Sequence, residues 1–162
     1  MSIRAILSGD LDVVQLMVAK LYVLDTEFDQ KRHRRAMEEL LAHQEHGGTW
    51  LIEADGVPAG YVVITVCYSL EFGGRFALLD ELFVEEQWRG RGLGCQALAF
   101  MEAWCVGQGI GAMRLEVWRQ NPRALALYQR VGFQVQDRHF MTKVLGGLQR
   151  ARDQVNLSVE TT

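Results

Sequence analysis

Leu79 to Ala103 reads LDELFVEEQWRGRGLGCQALAFMEA: an apolar strand, a charged bend, a glycine-rich turn with two arginines, and a helix. Leu82, Phe83 and Val84 close the strand. Gly90, Gly92 and Gly94 let the backbone come close to whatever sits above the turn, because glycine has no Cβ to hold it off. From Leu93 the apolar residues Leu93, Ala97, Leu98, Met101, Trp104 and Cys105 recur at helical spacing, so the free N–H groups of the first helical turn point back at the glycines. Free amides, the positive end of the helix dipole, and the side chains of Arg89 and Arg91 suit a phosphate or pyrophosphate.

Spacing narrows the choice among phosphate turns. A Walker loop requires four residues between its glycine and a Gly-Lys-Ser/Thr, which is absent here. A dinucleotide fingerprint fits Gly90 and Gly92, with Glu116 near the place of a ribose-binding acid, but Cys95 stands where the third small residue belongs. A third pattern, Arg/Gln-x-x-Gly-x-Gly/Ala, is met by Arg89, Gly92 and Gly94. Farther on, NPRALALYQRVGF carries Asn121, Ala124, Leu127, Tyr128, Gly132 and Phe133 at the spacing Asn-x-x-Ala-x-x-Leu-Tyr-x-x-x-Gly-Phe. The two motifs in this order resemble the GNAT superfamily of acyl-CoA N-acyltransferases. Within it, Leu79 to Val84 is similar to the Leu-Glu-Asp-Leu-Tyr-Val of the spermidine/spermine and thialysine acetyltransferase branch.

The resemblance implies an α/β (α+β) fold: a mixed, mostly antiparallel sheet of six to seven strands, about four flanking helices, and splayed fourth and fifth strands that admit the pantetheine arm of acetyl-CoA. Read in order, Ile3 to Ile6 forms a strand, and Asp10 caps a helix that buries Leu11, Val14, Val18 and Leu21. Lys31 to Arg35 opens a second helix burying Met37, Leu40 and Leu41. Thr49 to Ala54 and Tyr61 to Tyr68 pair across the turn Asp55 to Pro58, and EFGGR leads into the strand Phe76 to Val84. After the phosphate-turn helix come a strand Met113 to Val117, a helix Asn121 to Val131 and a sixth strand Gln134 to Val144. One domain, residues 1–145, is expected, followed by a polar tail, 146–162.

With 162 residues, 49% of them hydrophobic and 23% charged, the chain buries a core without staples. The net charge of −3 speaks against a dedicated nucleic-acid binder. Cys67, Cys95 and Cys105 form neither a disulfide framework nor a zinc cluster. His43 and His46 share a loop without further ligands, and His33 and His139 are isolated, so no metal is expected. No apolar stretch nears the ~20 residues of a membrane span, and the N-terminus lacks a signal-peptide core, so a cytoplasmic protein is expected.

By resemblance, backbone groups of Leu82, Phe83 and Val84 pair with the pantetheine arm, and Arg89, Gly90, Arg91, Gly92, Leu93, Gly94 and Cys95 wrap the pyrophosphate. Asn121 holds the arm, beside Ala124 and Leu127, and Tyr128 protonates the departing thiolate. Acyl transfer to an amine also needs a base. Glu81 is preferred, then Glu116, which stands in a Leu-Glu-Val similar to the ribosomal-protein N-terminal acetyltransferases, then Asp80. Strand alternation sends Asp80 and Glu81 to opposite faces. Asp25, Glu27, Asp29 and Glu71 lie on loops expected near a cationic acceptor. The expected function is transfer of acetyl from acetyl-CoA to a small primary amine such as a polyamine, amino acid or amino sugar. A protein N-terminal or lysine acetyltransferase and a non-catalytic CoA-binding module are the alternatives. The four tryptophans, with Trp88 and Trp118 outside any clear core, and the resemblance to a branch whose members pair point to a homodimer.

Overall fold

The computed structural model describes residues 1–143 and Leu145. Nine main elements follow in chain order: β1 (Ser2–Ala5), α1 (Leu11–Leu21), α2 (Gln30–Ala42), β2 (Gly47–Ala54), β3 (Val57–Ser69), β4 (Gly74–Val84), α3 (Leu93–Gly107), β5 (Met113–Leu115) and α4 (Pro122–Arg130). The strands lie in sequence order in one sheet, β1 to β4 antiparallel and β5 parallel to β4. The expected mixed sheet and four helices are present, with five strands among the described residues where six to seven were expected. Gln134 to Lys143 carries no strand, and Val144 and the tail 146–162 lie outside the described residues. Val135, Phe140 and Met141 in that segment stay exposed, so burial gives it no drive to pair, and β5 presents an edge of only three residues.

Asp10 stands at the N-cap of α1, as expected, but its side chain makes no bond to that helix. Its carboxylate accepts the Leu7 N–H at 2.8 Å and both terminal nitrogens of Arg4, fixing a 3-10 turn ahead of the helix. α2 is capped as such helices usually are, by Asp29 Oδ1 accepting from the Arg32 N–H at 3.1 Å.

Period-two alternation divides the core between the faces of the sheet. Tyr61 and Val63 of β3 join Leu11, Val14, Met17, Val18 and Met37 under α1 and α2. Val62 and Ile64 join Leu98, Met101 and Cys105 under α3 on the other side. Because both its faces are covered, the middle of β3 reads as a continuous apolar run. β4 breaks its own alternation: Ala77 and Leu79 pack beneath α3, whereas Phe83 packs beneath α1. The register explains this. Val63 faces Glu81 and Ile64 faces Leu79, so one step along β3 meets two along β4 and Asp80 is an inserted, unpaired residue.

Candidate active site

The bulge brings together what alternation was expected to separate. Asp80 and Glu81 line the same pocket, a cavity of about 270 Å³ between α2 and the β3–β4 pair, with Tyr22 and His33 beside them. The expectation of opposite faces fails because the inserted residue resets the phase of the strand.

Glu81 is 6% exposed and its carboxylate is fully engaged. Oε1 accepts from Tyr22 Oη at 2.7 Å and lies 2.8 Å from His33 Nε2, while Oε2 accepts from Tyr61 Oη at 2.8 Å. On its far side His33 Nδ1 lies 3.2 Å from Gln15 Nε2, which holds the ring in place. Burial alone would raise the Glu81 pKa. The hydrogen bonds from His33, Tyr22 and Tyr61, with the charge of His33, outweigh it and hold the carboxyl below its ordinary range. Burial, followed by the charge of Glu81, pushes both tyrosines well above the usual phenol range, so they serve as donors.

Asp80 has no side-chain hydrogen bond among the described residues and keeps contact with solvent. Its pKa moves up, first through desolvation of the carboxyl at the pocket mouth, then through repulsion by Glu81, against a smaller pull from His33 and with the least repulsion coming from Glu116. Glu116, just past β5, is exposed. Asp80 is therefore the carboxylate free to take a proton, and Glu81 the one locked in place.

The β4–β5 ladder stops at Leu79 opposite Leu115, although β4 runs on to Val84. Leu82, Phe83 and Val84 thus have no strand partner on the β5 side, as expected for the splay. One acceptor there is already used: Arg89 Nε donates to the Val84 carbonyl at 2.9 Å, and its guanidinium lies over the Phe83 ring at 5.7 Å. Arg91 lies over Trp88 at 4.7 Å.

Gly92 is the N-cap of α3 at φ 81°, and no side chain caps the helix, so its first N–H groups are left for an anion. Leu93 is buried and anchors that first turn in the core. Gly90 also has positive φ. Gly94 has a different reason: it lies within α3, where an added Cβ would meet a methyl of Leu127 on α4 at 3.3 Å. Cys95 receives an Arg130 N–H at 3.6 Å. Beside this turn a hollow of about 390 Å³ includes Lys20, Glu85, Glu86 and Arg89. Lys20 is tied to Glu85 at 2.6 Å, so an anion there would meet opposed charges.

On α4, Asn121 spends its side-chain oxygen capping the helix at Ala124 N–H, 3.0 Å away, which leaves its amide nitrogen to donate to an arm. Ala124 and Leu127 are half-buried. Tyr128 is half-buried edge-on to Phe133, with ring centroids 5.8 Å apart, and burial raises its pKa, so the hydroxyl keeps its proton.

Several loop acids have local partners. Asp25 accepts the Glu27 N–H, Asp29 caps α2, and Glu71 forms a two-bonded pair with Arg138. His33, read as isolated, lies at the centre of the site. Tyr22, Tyr61 and Gln15 were also missed, because their partners lie 18 to 59 residues away in sequence: the Gln15–His33 separation is 18, Tyr61–Glu81 20, His33–Glu81 48 and Tyr22–Glu81 59. The one available signal was that His33 shares a helix face with Met37 and Leu40. Glu45 also corrects the reading of His43 and His46 as a pair without further ligands, since ligand atoms of all three lie within 4.8 Å of one another on an exposed turn.

The chain matches the Acetyltransferase (GNAT) family over residues 17–133 and belongs to it. It is similar to the thialysine N-epsilon-acetyltransferase of Bos taurus, 29% identical over 89 residues that cover 52% of each chain. Among solved structures it resembles the integron cassette protein HFX_CASS3 from the mobile metagenome of Cole Harbour Salt Marsh. The TM-score there is 0.77 and the identity 29%, covering 88% of this chain and 90% of that one. Aminoglycoside N-acetyltransferase AAC(6')-Iy, solved with CoA, shares the fold at TM-score 0.74 and 21% identity, covering 88% and 93%. The chain spans 27% to 60% of the length of the curated relatives it matches.

Proposed function

We propose that this chain is an acetyl-CoA-dependent N-acetyltransferase acting on the primary amine of a small molecule. The observation that carries the reading is the meeting of Asp80 and Glu81 in one pocket where the β4–β5 ladder ends. Membership of the acetyltransferase family and the likeness to a relative named for an amine acceptor support it. The uncapped start of α3, with glycine at φ 81° and arginines alongside, fits a pyrophosphate.

Bound acetyl-CoA would supply a thioester whose carbonyl carbon takes the amine nitrogen and whose sulfur leaves. Asp80 would accept the proton of the incoming ammonium, so that a neutral amine forms the new C–N bond as the C–S bond breaks. Glu81 positions: it fixes Tyr22, Tyr61 and His33 around the mouth. Tyr128 would give its proton to the departing thiolate; the second proton that the nitrogen sheds as the amide forms would leave through solvent, from which Tyr128 is reprotonated. Among the three acids the geometry favours Asp80 over Glu81 because a base needs a free lone pair, and Glu116 adds only a lesser repulsion at Asp80 after burial and Glu81.

The test is release of free CoA from acetyl-CoA over a panel of small amines and peptides. Turnover with small amines is expected. Turnover with peptides alone would favour a protein acetyltransferase, and tight CoA binding with no acceptor would favour a binding module. A homodimer in the cytoplasm completes the proposal.

A further inference from the structure

We infer that the acceptor is a monoamine with an apolar body, an alkyl- or arylalkylamine, and that the face formed by Ala36, Met37, Leu40 and Val63 is its binding subsite. The inference rests on the proposed acetyltransferase activity and names its substrate class.

Charge is confined to one end of the pocket. Glu81 has both oxygens occupied, so Asp80 is the one carboxylate of the pocket without a side-chain partner among the described residues. One unpaired carboxylate matches one ammonium. Away from it the walls change character. On α2 the pocket face runs from His33 through Ala36 and Met37 to Leu40, a rise of about 10 Å along the helix. On β3 it runs from Val63, which faces Glu81, to Thr65, two residues nearer the β3–β4 turn. Neither wall offers a carboxylate. A second ammonium, as in a polyamine, or the several hydroxyls of an amino sugar would meet there mainly Ala36, Met37, Leu40 and Val63, with the single hydroxyl of Thr65 too little to replace the lost water. A chain of several carbons or a phenyl ring would instead lie against Ala36 and the half-exposed Leu40, over the buried Met37 and Val63.

The experiment compares butylamine, pentylamine, hexylamine and phenethylamine with 1,4-diaminobutane, 1,6-diaminohexane and an aminoglycoside. CoA release is measured, together with calorimetric binding to the CoA-saturated protein. Affinity and kcat/KM are expected to rise roughly fourfold per methylene from butylamine to hexylamine. Hexylamine should exceed 1,6-diaminohexane by on the order of tenfold. In Leu40→Glu, a half-exposed position that places a carboxylate on the apolar wall, this ranking should reverse. A flat methylene series, a diamine equal to or better than its monoamine in the unaltered chain, or no amine binding at all overturns the inference. If no amine yields CoA but calorimetry still ranks hexylamine above the diamine, the proposed activity fails while the apolar subsite stands.

Discussion

Asp80 and Glu81 are neighbours with opposite electrostatic fates, and pH separates their roles. The folded-state pKa of Glu81 is depressed, so its contribution to stability is complete above the ordinary value of 4.5 and is lost as pH falls through the lowered one. Glu81→Gln should therefore destabilise the protein at neutral pH and flatten the acid limb of a Tm-against-pH curve; an unchanged limb would refute the locked carboxylate. Asp80 has the reverse sign. Its pKa is raised, so the folded state loses stability as pH rises from the ordinary 3.8 through the raised value. Asp80→Asn should raise Tm at pH 7 while lowering kcat by roughly a hundredfold or more, the usual range for a lost general base. It should also abolish the acidic limb of kcat/KM, since the base works only when ionised. Equal kcat in Asp80→Asn and the unaltered chain would return the role to Glu116 or to water. Tyr128→Phe keeps the ring against Phe133 and should lower kcat with little change in acetyl-CoA affinity.

The start of α3 and the bulge in β4 are the two elements that build the site. Gly92 sits at φ 81°, and Gly92→Val adds both backbone strain and a branched side chain where the anion would approach. Acetyl-CoA binding by calorimetry should vanish in that variant while circular dichroism still reports a folded protein; retained affinity would place the phosphates elsewhere. Gly94→Val is expected to act through α4, since its Cβ meets Leu127, and so to disturb the placement of Tyr128 as well as binding. Arg89 both ties the turn to Val84 and offers charge, so Arg89→Ala should weaken binding about tenfold to a hundredfold, the scale of a lost charge-assisted bond.

At the scale of the molecule the exposed aromatics bear on assembly. Trp118 is 81% exposed, whereas Trp50 and Trp104 meet edge to face and Trp88 is covered by Arg91. Light scattering at micromolar concentration should give twice the chain mass, and Trp118→Glu should halve it, if this surface joins two copies. One chain mass at high micromolar concentration would end the homodimer proposal, and a Trp118-dependent fluorescence response to acetyl-CoA would assign the ring to the groove instead.

Local patterns in the sequence determined much of this protein. The helical stripe of α3, the glycine spacing before it, the turn chemistry of Asp55 to Pro58 and the motif from Asn121 to Phe133 each record backbone preference or near-neighbour periodicity, and they were enough for the family, the helices and the succession of β2, β3 and β4, but not for the place of β1 or for the number of strands. The polar site was decided by tertiary structure. One inserted residue at Asp80 reverses which side chains of β4 face α2, and no alternation rule registers an insertion until the partner strand is in place. His33, Tyr22 and Tyr61 converge on Glu81 from α2, the end of α1 and β3, and that convergence sets which carboxylate is locked and which is free. Hydrogen bonding and desolvation depend on distances across the fold, which sequence spacing does not encode.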